Sequence, residues 1–197
     1  MKTLDRLKNQ LQPGHVYRRA QLLPWSKAVD RHLKALLDEG FLEKMSQGLY
    51  YYPKKVSFGE VPPKDMDLVR AFLKSDDFLL TNYNHYNALG VGATQLYNHS
   101  VVYNHKRHGK FNLGGKMFDF HLKHKFPKTL SKEFLVVDLL NNLNELAEDK
   151  ELVLEAVMRK YFSSATPMLQ EVVNEYAGER TKNLLQDQAQ RNALSHV

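Results

Sequence analysis

An α+β fold in two parts is expected from three features of this 197-residue chain. Apolar residues recur at helical spacing as far as Gly40, then give way to two short strand-like runs around Ser46-Gln47-Gly48. Residues 78–125 are aromatic, rich in His and Asn, and broken into short alternating stretches. From Ser131 onward the pattern is helical again. The expected domains are residues 1–60, helices closed by a hairpin, and 64–197, a mixed α+β domain with a helical C-terminal part.

Each element has its own signal. Residues 3–11 place Leu4, Leu7 and Leu11 on one face, and Pro13-Gly14 stops the helix. Residues 17–23 read as a short second helix ending before Pro24. Ser26 suits the N-cap of a third helix over about 27–39, with Val29, Leu33, Leu36 and Leu37 inward and Gly40 closing it. Residues 41–45 and 49–52 follow as strands joined by Ser46-Gln47-Gly48, a bulged hairpin turn. Three helices and a hairpin outline a winged helix-turn-helix. Pro53, Lys54-Lys55 and Pro62-Pro63 mark an irregular loop or linker. A helix over 65–74 buries Met66, Val69, Phe72 and Leu73, and another over 84–89 ends at Gly90. Residues 100–104 and 116–122 look like strands, with Leu113-Gly114-Gly115 as a turn. Helices are expected over 132–146, 150–162, 167–176 and 179–190.

Composition removes several function classes. There is no cysteine, so disulfides, cysteine-ligated zinc, iron–sulfur clusters and thiol catalysis are excluded. Mean hydropathy is −0.51 and no apolar run is long enough to cross a bilayer. Met1-Lys2-Thr3-Leu4-Asp5-Arg6 has no apolar h-region, so a cytoplasmic protein with no membrane partner is expected. The net charge of +6 is unevenly spread: +4 over residues 1–53, +6 over 54–130 and −4 over 131–197. A basic front points to a polyanion, the plain alternative being a solvated basic surface.

In a winged helix-turn-helix the third helix enters the major groove and the wing touches backbone or minor groove. The outward positions here are Lys27, Asp30, Arg31 and Lys34. Arg31 can take guanine O6 and N7 together. Lys27, Lys34, Lys44 on the wing, and Arg18 and Arg19 at the second helix suit phosphates, with Gln47 at the wing turn. Ser26 could offer its hydroxyl and backbone N–H to a phosphate. Such readers take palindromes with two copies or with co-operative monomers, so a homodimer on DNA is expected.

These residues carry a resemblance. Gln21 to Pro53, with Ala28-Val29, Leu33-Lys34-Ala35-Leu36, Asp38-Glu39-Gly40-Phe41-Leu42-Glu43-Lys44 and Gln47-Gly48-Leu49-Tyr50-Tyr51-Tyr52-Pro53, resembles the N-terminal domain of AbiEi-type antitoxins. Ala88-Leu89-Gly90, then Asn98-His99-Ser100-Val101-Val102-Tyr103-Asn104, a basic stretch and a β-hairpin resemble the order of their C-terminal domain more loosely. The resemblance spans about residues 1–160. It implies an autorepressor that binds inverted repeats at its own promoter. It also implies an antitoxin countering a nucleotidyltransferase-type toxin, without a stable complex, in a type IV toxin–antitoxin arrangement tied to phage defence.

Read for chemistry, the second part is ambiguous. His105, His108, His121 and His124 stand at i, i+3 spacing, but in a turn-rich stretch and at a strand end, where that spacing loses its meaning for metal binding. Neither metal nor cofactor is expected. The cluster His105-Lys106-Arg107-His108-Gly109-Lys110 is the densest positive feature, with Tyr83, Tyr86, Tyr97 and Tyr103 in or near it. An RNA- or tRNA-binding surface of Tyr103, His105, Lys106, Arg107, His108 and Lys110 is therefore the alternative function, its affinity rising as pH falls towards 6. The other reading makes the tyrosines core and rim of a small sheet. No phosphate-cradling or nucleophile-elbow motif occurs, Gly90-Val91-Gly92 lacks a third glycine, and Asp65-Met66-Asp67 reads as first-turn carboxylates. A non-enzymatic protein is expected.

Overall fold

The computed structural model describes residues 3–194. In chain order the elements are α1 (Thr3–Gln10), β1 (Val16–Arg18), α2 (Arg19–Leu22), a 3-10 turn (Leu23–Trp25) and α3 (Val29–Asp38). Strands β2 (Glu43–Ser46), β3 (Leu49–Tyr51), β4 (Lys54–Val56) and β5 (Gly59–Val61) precede α4 (Asp65–Leu73) and β6 (Phe78–Thr81). A 3-10 segment (Tyr83–Leu89) leads to β7 (His99–Asn104), β8 (Gly109–Leu113) and β9 (Lys116–Leu122). The rest is α5 (Lys132–Asn141), a 3-10 turn (Leu143–Glu145), α6 (Lys150–Val157), a π-helical turn (Met158–Phe162), α7 (Pro167–Tyr176) and α8 (Glu179–Leu194). Helices and antiparallel hairpins occupy separate stretches, which makes the fold α+β.

Backbone contacts divide the chain into two compact units, Met1–Phe78 with His105–Leu122, and Leu79–Asn104 with Lys123–Val197. The expected boundary at 60–64 is therefore corrected. Helix α4 and the β8–β9 hairpin belong with the N-terminal elements because their side chains meet there. The Phe72 ring lies 5.0 Å from Phe111 and 5.2 Å from Phe120. The Gly114 N–H donates to the Met45 carbonyl at 2.8 Å, and Lys116 pairs with Asp65 at 2.6 Å.

In the first unit Leu7, Leu11, Leu22, Val29, Leu33, Leu36, Leu42 and Tyr50 form one buried cluster. Strands β1, β3 and β2 make an antiparallel sheet in that order, pairing Val16 with Tyr51 and Tyr51 with Glu43. The helix expected over 17–23 is thus partly wrong. Residues 16–18 are drawn into a ladder with β3, leaving α2 only four residues before the 3-10 turn. Long-range pairing outweighs the local apolar pattern. The loop expected after Pro53 contains the hairpin β4–β5, pairing Lys54 with Val61 and Val56 with Gly59. The Tyr51 hydroxyl anchors it, donating to the Val61 carbonyl at 2.6 Å. In α4 Val69 and Leu73 are buried as expected, Leu68 is buried with them and Phe72 is half-buried, while Met66 in the first turn is exposed.

The second unit is built on α5, in which Phe134, Val136, Val137, Leu139 and Leu140 are all buried, as an apolar run without a polar face requires. Ser131 caps it by accepting from the Phe134 N–H, as Asp149 caps α6 and Thr166 caps α7. The expected helices over 132–146 and 150–162 each tighten or widen into a 3-10 or π turn at their end. Among the described residues no helix is long and apolar enough to cross a membrane.

Candidate nucleic-acid interface

Helix α3 is amphipathic in the required sense. Val29, His32, Leu33 and Leu36 are buried, and Asp30, Arg31 and Lys34 are exposed on the other side, with Lys27 exposed just before the first turn. Strand β2 adds exposed Lys44, and the turn to β3 adds exposed Gln47. A positive-φ Gly48 closes that turn at φ 72°, a conformation a side chain would strain. The structure therefore leaves Lys27, Arg31, Lys34, Lys44 and Gln47 exposed on α3, the residues before it and the β2–β3 hairpin.

Two expected contacts change. Ser26 is 3% exposed, its Oγ lies 2.7 Å from His32 Nδ1 and it accepts from the Ala28 N–H at 3.2 Å. Ala28, not Ser26, is the N-cap, and the Ser26 hydroxyl is turned inward to satisfy a buried imidazole. Ser26 is removed from the phosphate-binding set. Arg19 and Asp30 engage each other: Nε and Nη2 of the guanidinium donate to the two carboxylate oxygens, both at 2.6 Å. The hydrogen bonds from Arg19 hold Asp30 below the usual carboxylate range, and Asp30 in turn raises Arg19. Arg18, half-buried on β1, lines a cleft with Gln21, Lys64, Arg70 and Lys74.

The basic segment 105–110 is more structural than its composition suggests. Lys106 Nζ donates to the carbonyls of Leu73 (3.3 Å) and Lys74 (3.0 Å), where α4 ends with Lys74 in the left-handed region at φ 55°. The Arg107 guanidinium lies 4.6 Å over the Phe72 ring and 6.0 Å from that of Phe111. His105 Nε2 is 3.4 Å from an Asp77 oxygen. His108 and Lys110 are exposed.

Tyr103 leaves the expected RNA surface altogether. It is 1% exposed, and Tyr83 and Tyr86 are buried with it, because their rings build the core of the second unit. The Tyr103 and Tyr86 hydroxyls each donate at 2.7 Å to one oxygen of Asp138, which is 2% exposed on α5. Asn142 Nδ2 completes the group, lying 2.9 Å from the Tyr103 oxygen, 3.2 Å from the Tyr86 oxygen and 3.1 Å from Asp138 Oδ1. Burial pushes the Asp138 carboxyl up despite the hydroxyl donors and Lys123, and pushes both phenols well up. Sequence reasoning missed this network. The signal was an aspartate inside the otherwise apolar run Phe134-Leu135-Val136-Val137-Asp138-Leu139-Leu140.

Among the described residues no three His, Asp or Glu side chains are grouped to hold a metal ion. Compared with protein-family models, with curated proteins and with solved structures, the chain matches none.

Proposed function

We propose that this protein is a DNA-binding transcriptional autorepressor and an antitoxin, acting without enzymatic chemistry in the cytoplasm. The observation that carries the DNA reading is the outward presentation of Arg31 and Lys34 on a helix whose opposite side, Val29, Leu33 and Leu36, is buried. The order helix–strand–helix–helix–hairpin, with the sheet running β1-β3-β2, supports a winged helix-turn-helix in the first unit. Arg31 reads a guanine, Lys27 and Lys34 position the phosphate backbone, and Lys44 with Gln47 brings the wing to the flanking groove. Two copies occupy the halves of an inverted repeat.

The antitoxin reading is supported by the residues that resemble AbiEi-type antitoxins. Ala88-Leu89-Gly90 ends the 3-10 segment, with Gly90 as its left-handed cap, and 98–104 leads into β7, in the expected order. The partner is a nucleotidyltransferase-type toxin countered without a stable complex. The alternative RNA-binding reading loses its stacking platform, since three of its four tyrosines are buried. A gel shift with DNA from upstream of the gene, competed by unrelated duplex and by RNA, tests the first part. A sequence-specific complex is expected, and equal binding to all competitors overturns it. Co-expression with the adjacent open reading frame tests the second: rescue of growth is expected, and undiminished toxicity overturns it.

A further inference from the structure

A cleft of about 660 Å³ is lined by residues of β1, α4 and their flanking turns, all within the first unit. Its lining carries four cationic side chains, Arg18, Lys64, Arg70 and Lys74, against two carboxylates, Asp67 and Asp76. Both carboxylates are engaged by one group: the Arg70 guanidinium donates through Nη1 to Asp67 at 2.6 Å and through Nε to Asp76. Arg18, Lys64 and Lys74 form no ion pair among the described residues. The lining therefore holds a positive excess that the chain itself leaves unanswered.

These cations form a row. Lys64 stands just before the first turn of α4 and Lys74 at its end. At a helical rise of about 1.5 Å per residue they are about 15 Å apart, with Arg70 between them. Positions 64, 67, 71 and 74 recur at spacings of three and four, which puts them on one face of the helix. Arg18 joins from β1, its N–H donating to Gln21 Oε1 at 2.8 Å.

Lys74 adds a second observation. It is the one non-glycine residue with positive φ among the described residues, at 55°, where its Cβ crowds the following carbonyl. Glycine would close the helix there without strain. Lys106 holds the turn by donating to the Leu73 and Lys74 carbonyls. A strained backbone that fixes a cation at the end of a cationic cleft is the signature of a binding position.

We infer that this cleft binds a small molecule carrying several phosphate groups in a row, of the polyphosphate or nucleoside-triphosphate class. One phosphate reaches one end of the row, whereas a chain of them meets Lys64, Arg70 and Lys74 together. The volume lies in the range of small-ligand cavities. The inference goes beyond the DNA reading and does not depend on it, since Lys64, Arg70 and Lys74 lie outside α3 and the β2–β3 hairpin.

The test is calorimetric titration of the full chain, without DNA, using tripolyphosphate and in parallel inorganic phosphate. Saturable one-site binding of tripolyphosphate is expected, with inorganic phosphate weaker by about tenfold or more. Lys64→Gln and Lys74→Gln should each weaken tripolyphosphate by about tenfold, and Lys128→Gln, an exposed lysine of the second unit, should not. Lys74→Gly separates binding from structure: it should raise the melting temperature by relieving the strain and still lose affinity. No saturable binding, equal losses in all the variants, or full affinity in Lys74→Gly overturns the inference. Affinity for random duplex DNA, measured on Lys64→Gln, is expected to stay unchanged. A loss there, together with no binding of tripolyphosphate, assigns the cleft to a nucleic-acid backbone and overturns the small ligand.

Discussion

Arg19 and Asp30 face each other across the junction of α2 and α3 and exchange two hydrogen bonds of 2.6 Å. The pair keeps one cation of the proposed DNA face neutralised. Asp30→Asn removes that restraint, leaving Arg19 for a phosphate. The expected outcome is tighter binding to duplex of any sequence, with the slope of log K against log salt steeper by about one. Both groups are exposed, so the melting temperature should barely move. Unchanged salt dependence would place Arg19 away from the duplex.

Arg31 and Lys34 separate base reading from backbone attraction. Arg31→Ala should cost about 1–3 kcal/mol on the operator and relax discrimination at one position. Lys34→Ala should weaken operator and random duplex alike. Titrations against a set of single-base operator variants distinguish the two, and parallel losses for both substitutions would argue against a base contact by Arg31.

Asp138 predicts a particular dependence of stability on pH. Its folded-state carboxyl is raised by burial, so the stability linked to it is complete below the unfolded carboxylate range and is lost as pH rises through the folded value. Denaturation at a series of pH values should show Asp138→Asn gaining on the wild type as pH rises. Asp138→Ala strands two phenol donors and the Asn142 amide, at about 1–3 kcal/mol for each orphaned group.

Glu148 behaves in the opposite sense. Burial raises its carboxyl, but the Gln95 and Thr94 N–H groups at 3.0 Å and the Tyr97 hydroxyl at 2.8 Å outweigh this and lower it overall. Its stabilisation is present above the unfolded carboxylate range and disappears as pH falls through the folded value. Glu148→Gln should flatten the acid limb of the stability curve. An acid limb identical to that of the wild type would show that the loop 94–97 is held by other contacts.

Local signals were readable at several points where the chain punctuates itself. Ser131 and Thr166 start helices with their own side chains, Pro167 stands at the first turn of α7, and Gly114-Gly115 turns β8 into β9. The misreadings share a different physical cause. Val16 to Arg18 become a strand only because β3, over thirty residues on, offers the ladder. Ser26 has the right identity for a cap, and only the three-dimensional position of His32 reveals that its hydroxyl turns inward. The exposed side chains of α3 followed from its periodicity. The fate of Tyr103 did not, since a tyrosine in an alternating run fits a core as well as a surface.

The β8–β9 ribbon has a bearing on how this protein is made and cut. Because residues 105–122 complete the unit begun at the N-terminus, ribosomal synthesis must pass Leu122 before Phe72 can meet both its aromatic neighbours. An expression fragment stopped after Phe78 would retain α3 and the β2–β3 hairpin yet lack the Gly114 bond to Met45 and the cation that closes α4. Limited proteolysis should accordingly release no stable N-terminal piece that ends before that ribbon.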